Sequence, residues 1–277
     1  MYKLSKSKLF IGSFIFILFI TLIFCEKNPT DKNNEEAPAL PPMASMKIET
    51  SFFGNLLNQS LAKTALSKSN FFAASGRVLV INTVVLVSSI VPTALFVAAF
   101  SQPAELGSDG KFHWIYTVHQ GGNAYSADLA GFIDVLSTEV VWEMYVTGTS
   151  HNPPLDHFLW YEGRAKIGNK EGWWMFYSDQ SPDSLIDVLK IAWQIPDSTH
   201  RQLSFSIVDE NNADFGDSLI YQIENKNGYL KFYDAQTVQQ STIHWNAADG
   251  TGYIQWFDYK NGLKSCWDAN QDDIECP

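Results

Sequence analysis

From Lys111 to the C-terminus, apolar and polar residues alternate along a succession of short segments. In one of them Leu203, Phe205 and Ile207 are separated by Ser204 and Ser206. Because successive side chains of a β-strand point to opposite faces, this alternation predicts strands that are buried on one face. Similar segments are Glu139–Val146, Leu159–Ile167 and Leu189–Ile195.

Turn-forming residues separate these segments, which predicts hairpin connections and about 11 or 12 strands. The clearest turns are Asn152-Pro153-Pro154, Gly168-Asn169, Asn225–Gly228 and Asn261-Gly262. No helical period lies between the strands, so an antiparallel meander is favoured over parallel crossovers. One strand, Gly172–Tyr177, carries aromatic residues on both faces, and the second face could either cover a helix or stack on sugars.

The segment Val78–Phe100 contains no charged residue and is long enough to span a bilayer. Its polar residues make it only moderately apolar for a membrane span, and one long helix kinked at Pro92 fits the segment. We therefore expect a buried core helix, because a helix that is apolar all round can also occupy the centre of a large domain. A transmembrane span and buried strands are the alternatives. A shorter amphipathic helix is expected within Asn55–Ser67.

Together these patterns predict a mainly β fold. The sheet is expected to form an antiparallel up-and-down barrel, or a strongly curved half-barrel, of about 11–12 strands. A long apolar N-terminal helix would pack inside the barrel or across the half-barrel. The second arrangement resembles, in architecture only, the carriers that move lipoproteins and lipids across the bacterial envelope.

The N-terminus has the composition of a secretory signal. Lys3, Lys6 and Lys8 precede the uncharged stretch Leu9–Phe24, which is shorter than a full membrane span. The end of this stretch and the next residue, Leu22-Ile23-Phe24-Cys25, resemble the lipobox of bacterial lipoproteins. That resemblance implies a signal peptide at 1–24, a lipid on Cys25 and a place in the cell envelope. An uncleaved signal anchor is the alternative.

Residues 25–45 are polar and rich in proline, which predicts a flexible tether. A single domain is expected at 46–277, helical over 46–101 and a β-meander over 111–277. Resemblance to lipoprotein sorting in Gram-negative bacteria favours the outer membrane, because Glu26 is not the Asp that retains lipoproteins at the inner membrane.

The net charge of the chain argues against nucleic acids as partners. The chain of 277 residues has 30 acidic against 19 basic residues, for a net charge of -11. Nucleic-acid binding is therefore not expected, since it relies on cationic side chains. No cofactor is expected.

With Cys25 lipidated, the remaining pair Cys266 and Cys276 predicts a disulfide in an oxidising compartment.

No complete catalytic or metal-binding set is evident. Gly216-Asp217-Ser218-Leu219 resembles the nucleophile block of the GDSL esterases, but the later His244 has no Asp before it at the family's spacing. A pair among Glu139, Glu143 and Glu162 could support glycosidase chemistry. The alternation Asp268, Asn270, Asp272 is a weak calcium candidate.

The sequence therefore predicts a membrane-anchored, non-catalytic envelope lipoprotein with a binding or structural role. Its ligand would be an apolar molecule held between sheet and helix, or another envelope protein. An envelope hydrolase, esterase-like or glycosidase-like, is the alternative.

Overall fold

A computed structural model describes residues 36–54 and 68–277, without the side chains of residues 82–89. The predicted signal, the lipobox with Cys25, and the expected helix within Asn55–Ser67 lie outside the described residues. One compact unit spans Ala37–Pro277.

The unit consists mainly of one antiparallel sheet. Its strands are β1 (Glu105–Leu106), β2 (Phe112–Gln120), β3 (Asn123–Asp134), β4 (Glu139–Gly148), β5 (Leu155–Lys166), β6 (Glu171–Tyr177), β7 (Asp187–Gln194), β8 (His200–Ile207), β9 (Ser218–Glu224), β10 (Asn227–Asp234), β11 (Gln239–Asn246), β12 (Gly252–Gln255), β13 (Ser265–Trp267) and β14 (Asp273–Ile274). Each strand pairs with the next along the chain. The predicted antiparallel meander is confirmed.

The number of strands is larger than predicted, 14 in place of about 11 or 12. The additional strands are short: β1 and β14 have two residues each, and β13 has three. A strand of this length shows no alternation of apolar and polar residues, so the period of two does not reveal it.

The sheet is open. Its strand order is linear from β1 to β14, and in the described ranges these two edge strands do not pair with each other. The closed barrel, one of the two predicted arrangements, is therefore not formed by backbone hydrogen bonds.

One face of the sheet, here called the inner face, carries most of the core. The alternation places Trp142, Trp174, Trp193, Tyr221 and Trp245 there, and all five are buried. The opposite face, the outer face, carries Glu143, Glu162 and Trp173 at the intervening positions. The inner face is covered by two segments from the N-terminal part of the chain.

The first covering segment includes a 3₁₀ turn at Met43–Ser45 and the short helix α1 (Ser51–Gly54). The Asn169 side-chain nitrogen donates to the Ala39 carbonyl oxygen (2.6 Å). The Trp174 indole donates to the buried Ser45 hydroxyl (3.1 Å). The folded unit thus begins at Ala37, although residues up to 45 were expected to belong to the tether.

The second covering segment is helix α2 (Ser69–Ala99). It contacts β2 and β3 near one edge of the sheet and β12–β14 near the other. The hydroxyl of Tyr116 in β2 donates to the Leu95 carbonyl oxygen (2.5 Å), and the ring of Phe96 meets that of Trp174 edge to face. In the described ranges, neither α2 nor any other helix combines the length and hydropathy that a membrane-crossing segment requires.

Asn70 anchors the start of α2 to the C-terminal strands. It is buried, yet all its polar atoms have partners: its amide nitrogen donates to the Cys266 carbonyl oxygen, and its amide oxygen accepts from Tyr259 and Lys260. A buried amide whose nitrogen and oxygen both have partners fixes its surroundings, because any displacement would leave polar atoms unpaired.

Candidate functional site

A pocket of about 370 Å³ lies between the middle of α2 and strands β7–β10. Its helical wall is formed by Val80 and Ile81. The residues of the sheet that face it are mainly apolar: Leu189, Phe205, Ile207, Leu219 and Phe232, with Phe257 from the loop after β12. A mainly apolar pocket of this size is typical of sites for small apolar molecules.

The pocket and the first covering segment occupy different parts of the inner face. The first covering segment, which includes α1, lies over other parts of these strands and over β11: the Tyr221 hydroxyl donates to the Glu49 carbonyl oxygen (3.2 Å), and Phe53 meets Trp245 edge to face. Strand β7 turns Trp193 toward that covered part and Leu189 toward the pocket. The smaller side chain leaves room here, and the described residues of the first covering segment do not line this space.

Three carboxylates and two serine hydroxyls form the polar part of the wall. Asp214, Asp217 and Asp234 line the pocket, and among the described residues no Lys, Arg or His side chain lines it with them. Burial raises the pKa of Asp217, an effect that its hydrogen bond from the Ala235 amide opposes and the nearby Asp234 and Asp214 carboxylates reinforce. The pKa of Asp234 is lowered, chiefly by the Thr237 backbone amide. The pocket therefore has an apolar interior and a negatively charged wall.

Ser218 lines this pocket, but the structure does not bring His244 to it. Ser218 opposes Tyr233 at one end of β10, whereas His244 opposes Tyr229. Four residues of strand separate these positions, about 13 Å along β10. The His244 ring instead contacts Tyr229 and Tyr253 and has a lowered pKa because it is buried. Among the described residues, the geometry thus does not place the candidate histidine within hydrogen-bonding reach of this serine.

The three candidate carboxylates lie on the outer face, away from the pocket. Glu143 and Glu162 are direct cross-strand neighbours on β4 and β5. Glu143 accepts from the Lys111 ammonium (2.6 Å) and from the Tyr145 hydroxyl (3.4 Å), while Glu139 lies 3.7 Å from Arg164. The structure brings Glu143 and Glu162 together but pairs the first with a cation.

The residues of the calcium candidate lie in a turn between β13 and β14. One carboxylate oxygen of Asp268 accepts from the backbone amides of Asn270 and Asp272, each at 2.9 Å. The ammonium of Lys68 donates to the Asn270 carbonyl oxygen (2.6 Å). A bound ammonium disfavours a cation at this turn. Across the described residues, no group of three or more potential metal ligands is found.

Cys266 and Cys276 lie at disulfide-bonding distance, with their Cα atoms 5.2 Å apart, as the cysteine count predicts. The disulfide closes a loop that contains Asp273, and this carboxylate accepts hydrogen bonds from the Ser69 hydroxyl and the Asn70 amide at the start of α2.

The acidic wall of the pocket is the functional feature that the sequence patterns did not reveal. Asp214 and Asp217 belong to the loop between β8 and β9, and Asp234 ends β10. The sequence shows that Asp209–Asp217 is rich in acidic residues. Only the fold shows that this loop lies beside the apolar ends of four strands.

Comparison with family models, curated proteins and solved structures finds no match to this chain.

Proposed function

We propose that this chain is a non-catalytic binding protein that holds an apolar ligand between helix α2 and the inner face of its sheet. The observation that carries the proposal is the 370 Å³ pocket, whose wall is apolar from both the helix and four strands. Such a ligand would gain about 25 cal/mol for each Å² of apolar surface removed from water.

The arrangement of helix and sheet supports a half-barrel with α2 across its opening. From Asn70, which contacts β13, to Leu95, which contacts β2, the helix advances by about 38 Å. Strands β2 and β13 would be about 53 Å apart across a flat sheet at the usual strand spacing. A sheet that bends toward the helix accounts for the difference and encloses space between them.

Membrane anchoring is part of the same proposal. The signal-like N-terminus and the lipobox resemblance support a lipid on Cys25 and a place at the bacterial outer membrane. The folded unit begins at Ala37, so residues 25–36 can act as the tether. Labelling of growing cells with radioactive palmitate should mark the wild-type chain, and Cys25→Ala should remove the label. Equal labelling of both would contradict the anchoring proposal.

Pocket occupancy can be tested with the apolar fluorophore phenylnaphthylamine and the full-length chain. Ile207 lines the pocket, whereas Ile220 on the adjacent strand lies on the outer face. We expect saturable probe binding to the wild type, loss of that binding in Ile207→Trp because the indole fills the pocket, and normal binding in Ile220→Trp.

Native mass spectrometry of the chain purified from a bacterial envelope gives the second test. We expect a stoichiometric apolar adduct that organic extraction removes and that Ile207→Trp lacks. A bare protein mass, together with no saturable binding of the fluorophore, would overturn the proposal and leave a packed structural module.

A further inference from the structure

A second groove, of about 290 Å³, lies on the outer face over β6–β8, on the opposite side of the sheet from the apolar pocket. Its shape follows from the register. Trp173 on β6 opposes Ala192 on β7, and Ala192 opposes Ser204 on β8. One large side chain followed by two small ones in the same row leaves a trough with the indole as its wall.

Trp173 differs from every other tryptophan in the chain. All nine tryptophans are in the described residues, and the other eight are buried: Trp114, Trp142, Trp160, Trp174, Trp193, Trp245, Trp256 and Trp267. Trp173 is only partly buried, and the Lys190 ammonium lies 5.6 Å from its ring centroid. An indole on the polar face of a sheet whose other indoles form the core offers a flat apolar surface to a ligand.

The polar groups beside the indole are not satisfied by one another. Gln194 and Gln202 are direct cross-strand neighbours at one end of the trough. Within the described part of the chain, the side chains of Gln194, Gln202 and Ser204 form no hydrogen bond with another protein group. Two amides and a hydroxyl therefore present both donors and acceptors toward the space beside Trp173.

The charges of the groove balance. Lys166 and Glu171 form an ion pair, and Lys190 and Glu139 complete the charged residues of the lining. The site thus favours neither an anion nor a cation. A ligand that suits it has an apolar flat face for the indole and uncharged hydroxyl groups for the amides.

We propose that this groove binds a neutral oligosaccharide, with the C–H face of one pyranose ring stacked on Trp173. Gln194, Gln202 and Ser204 would exchange hydrogen bonds with its hydroxyl groups. The site is separate from the apolar pocket, and its test does not depend on the pocket being occupied.

The test is a calorimetric titration of the full-length chain, in a detergent without a sugar head group, with cellohexaose, maltohexaose and chitohexaose. At least one of the three is expected to bind with a saturable signal. Trp173→Ala should weaken that binding by about tenfold or more, as expected for loss of an aromatic anchor. Trp173→Phe should retain part of it, and Gln194→Ala with Gln202→Ala should weaken it with the indole in place.

Ile115→Ala is the matched control, because Ile115 is an exposed residue of the same face on β2. This variant should bind as the wild type does. Absence of saturable binding to all three hexasaccharides, or wild-type affinity in both Trp173→Ala and the glutamine double variant, would overturn the proposal. Retained phenylnaphthylamine binding in the Trp173 variants would show that the inner pocket is intact in either case.

Discussion

The backbone amide of Asn70 donates a 2.9 Å hydrogen bond to the carboxylate of Asp273, which lies 203 residues away in the sequence. Asn70 is in the first turn of α2, where backbone amides have no partner within the helix. A carboxylate from the C-terminal tail therefore caps the N-terminus of α2 in place of an N-cap side chain. The helix that forms one wall of the apolar pocket is positioned by the last residues of the chain.

Replacing the capping carboxylate should destabilise the domain. We expect Asp273→Ala to lower the free energy of unfolding by about 1 kcal/mol, because it removes the acceptor for the first turn of α2. Urea denaturation followed by circular dichroism measures this loss. Asp272→Ala is the matched control, since it removes the same charge from the neighbouring residue, whose carboxylate makes no hydrogen bond in the described structure. Equal stability of the two variants would contradict this assignment.

Removal of the disulfide should have a larger effect. Replacing Cys266 and Cys276 together by Ala should cost about 3 kcal/mol of unfolding free energy, by the chain-entropy estimate for a loop of this length. The wild type under reducing conditions should show the same loss, and the double variant should be insensitive to reductant. The effect of Asp273→Ala should also shrink in the double variant, because the two features act on one loop.

His113 should make stability depend on pH. Burial lowers its pKa, but hydrogen bonds from its ring to Asp128 (2.8 Å) and Asp109 (3.2 Å) outweigh burial and raise the pKa overall. A histidine with a raised pKa in the folded state contributes stability that is complete below its unfolded pKa, about 6.5. This stability is lost as the pH rises through the folded pKa.

The melting temperature of the wild type should therefore fall between about pH 6 and pH 8 by more than that of His113→Gln. His119, exposed on the same strand, provides the control His119→Gln, which should keep the wild-type dependence. A His113→Gln variant with an unchanged pH dependence would show that the two carboxylates do not stabilise the imidazolium.

Ser218→Ala should leave function intact. The wall of the pocket is mainly apolar, so we expect loss of the Ser218 hydroxyl to leave phenylnaphthylamine binding as it is in the wild type. The variant's turnover of fluorogenic esters should equal that of the wild-type chain. A large esterase activity that disappears in Ser218→Ala would contradict the binding proposal and favour the hydrolase.

The long strands could be predicted from the sequence because apolar and polar residues alternate within each strand. Leu203 and Phe205 are buried as the period of two predicts, and Ile207 on the same face lines the pocket. The short strand β14 could not be predicted from the sequence, because its pairing with β13 depends on the position of the tail that the disulfide holds. Whether the sheet closed on itself also depended on its two edge strands, each of two residues.

The site was only partly predictable. An apolar space between helix and sheet could be expected from an uncharged segment beside a meander. Its acidic wall could not, because Asp217 and Asp234 come from different turns that only the β9–β10 register places together. Trp173 was visible as one of a run of aromatics, but only the structure shows that Trp174 is buried and Trp173 is not.

The long separation between Asn70 and Asp273 also bears on how the protein is made. During synthesis the apolar helix emerges early, whereas the residues that hold its first turn are added last. Each strand pairs with the next along the chain, whereas this contact closes a loop of 203 residues and so carries a larger entropic cost. The first turn of α2 is therefore expected to be fixed late in folding, after the strands that lie between these two residues have paired.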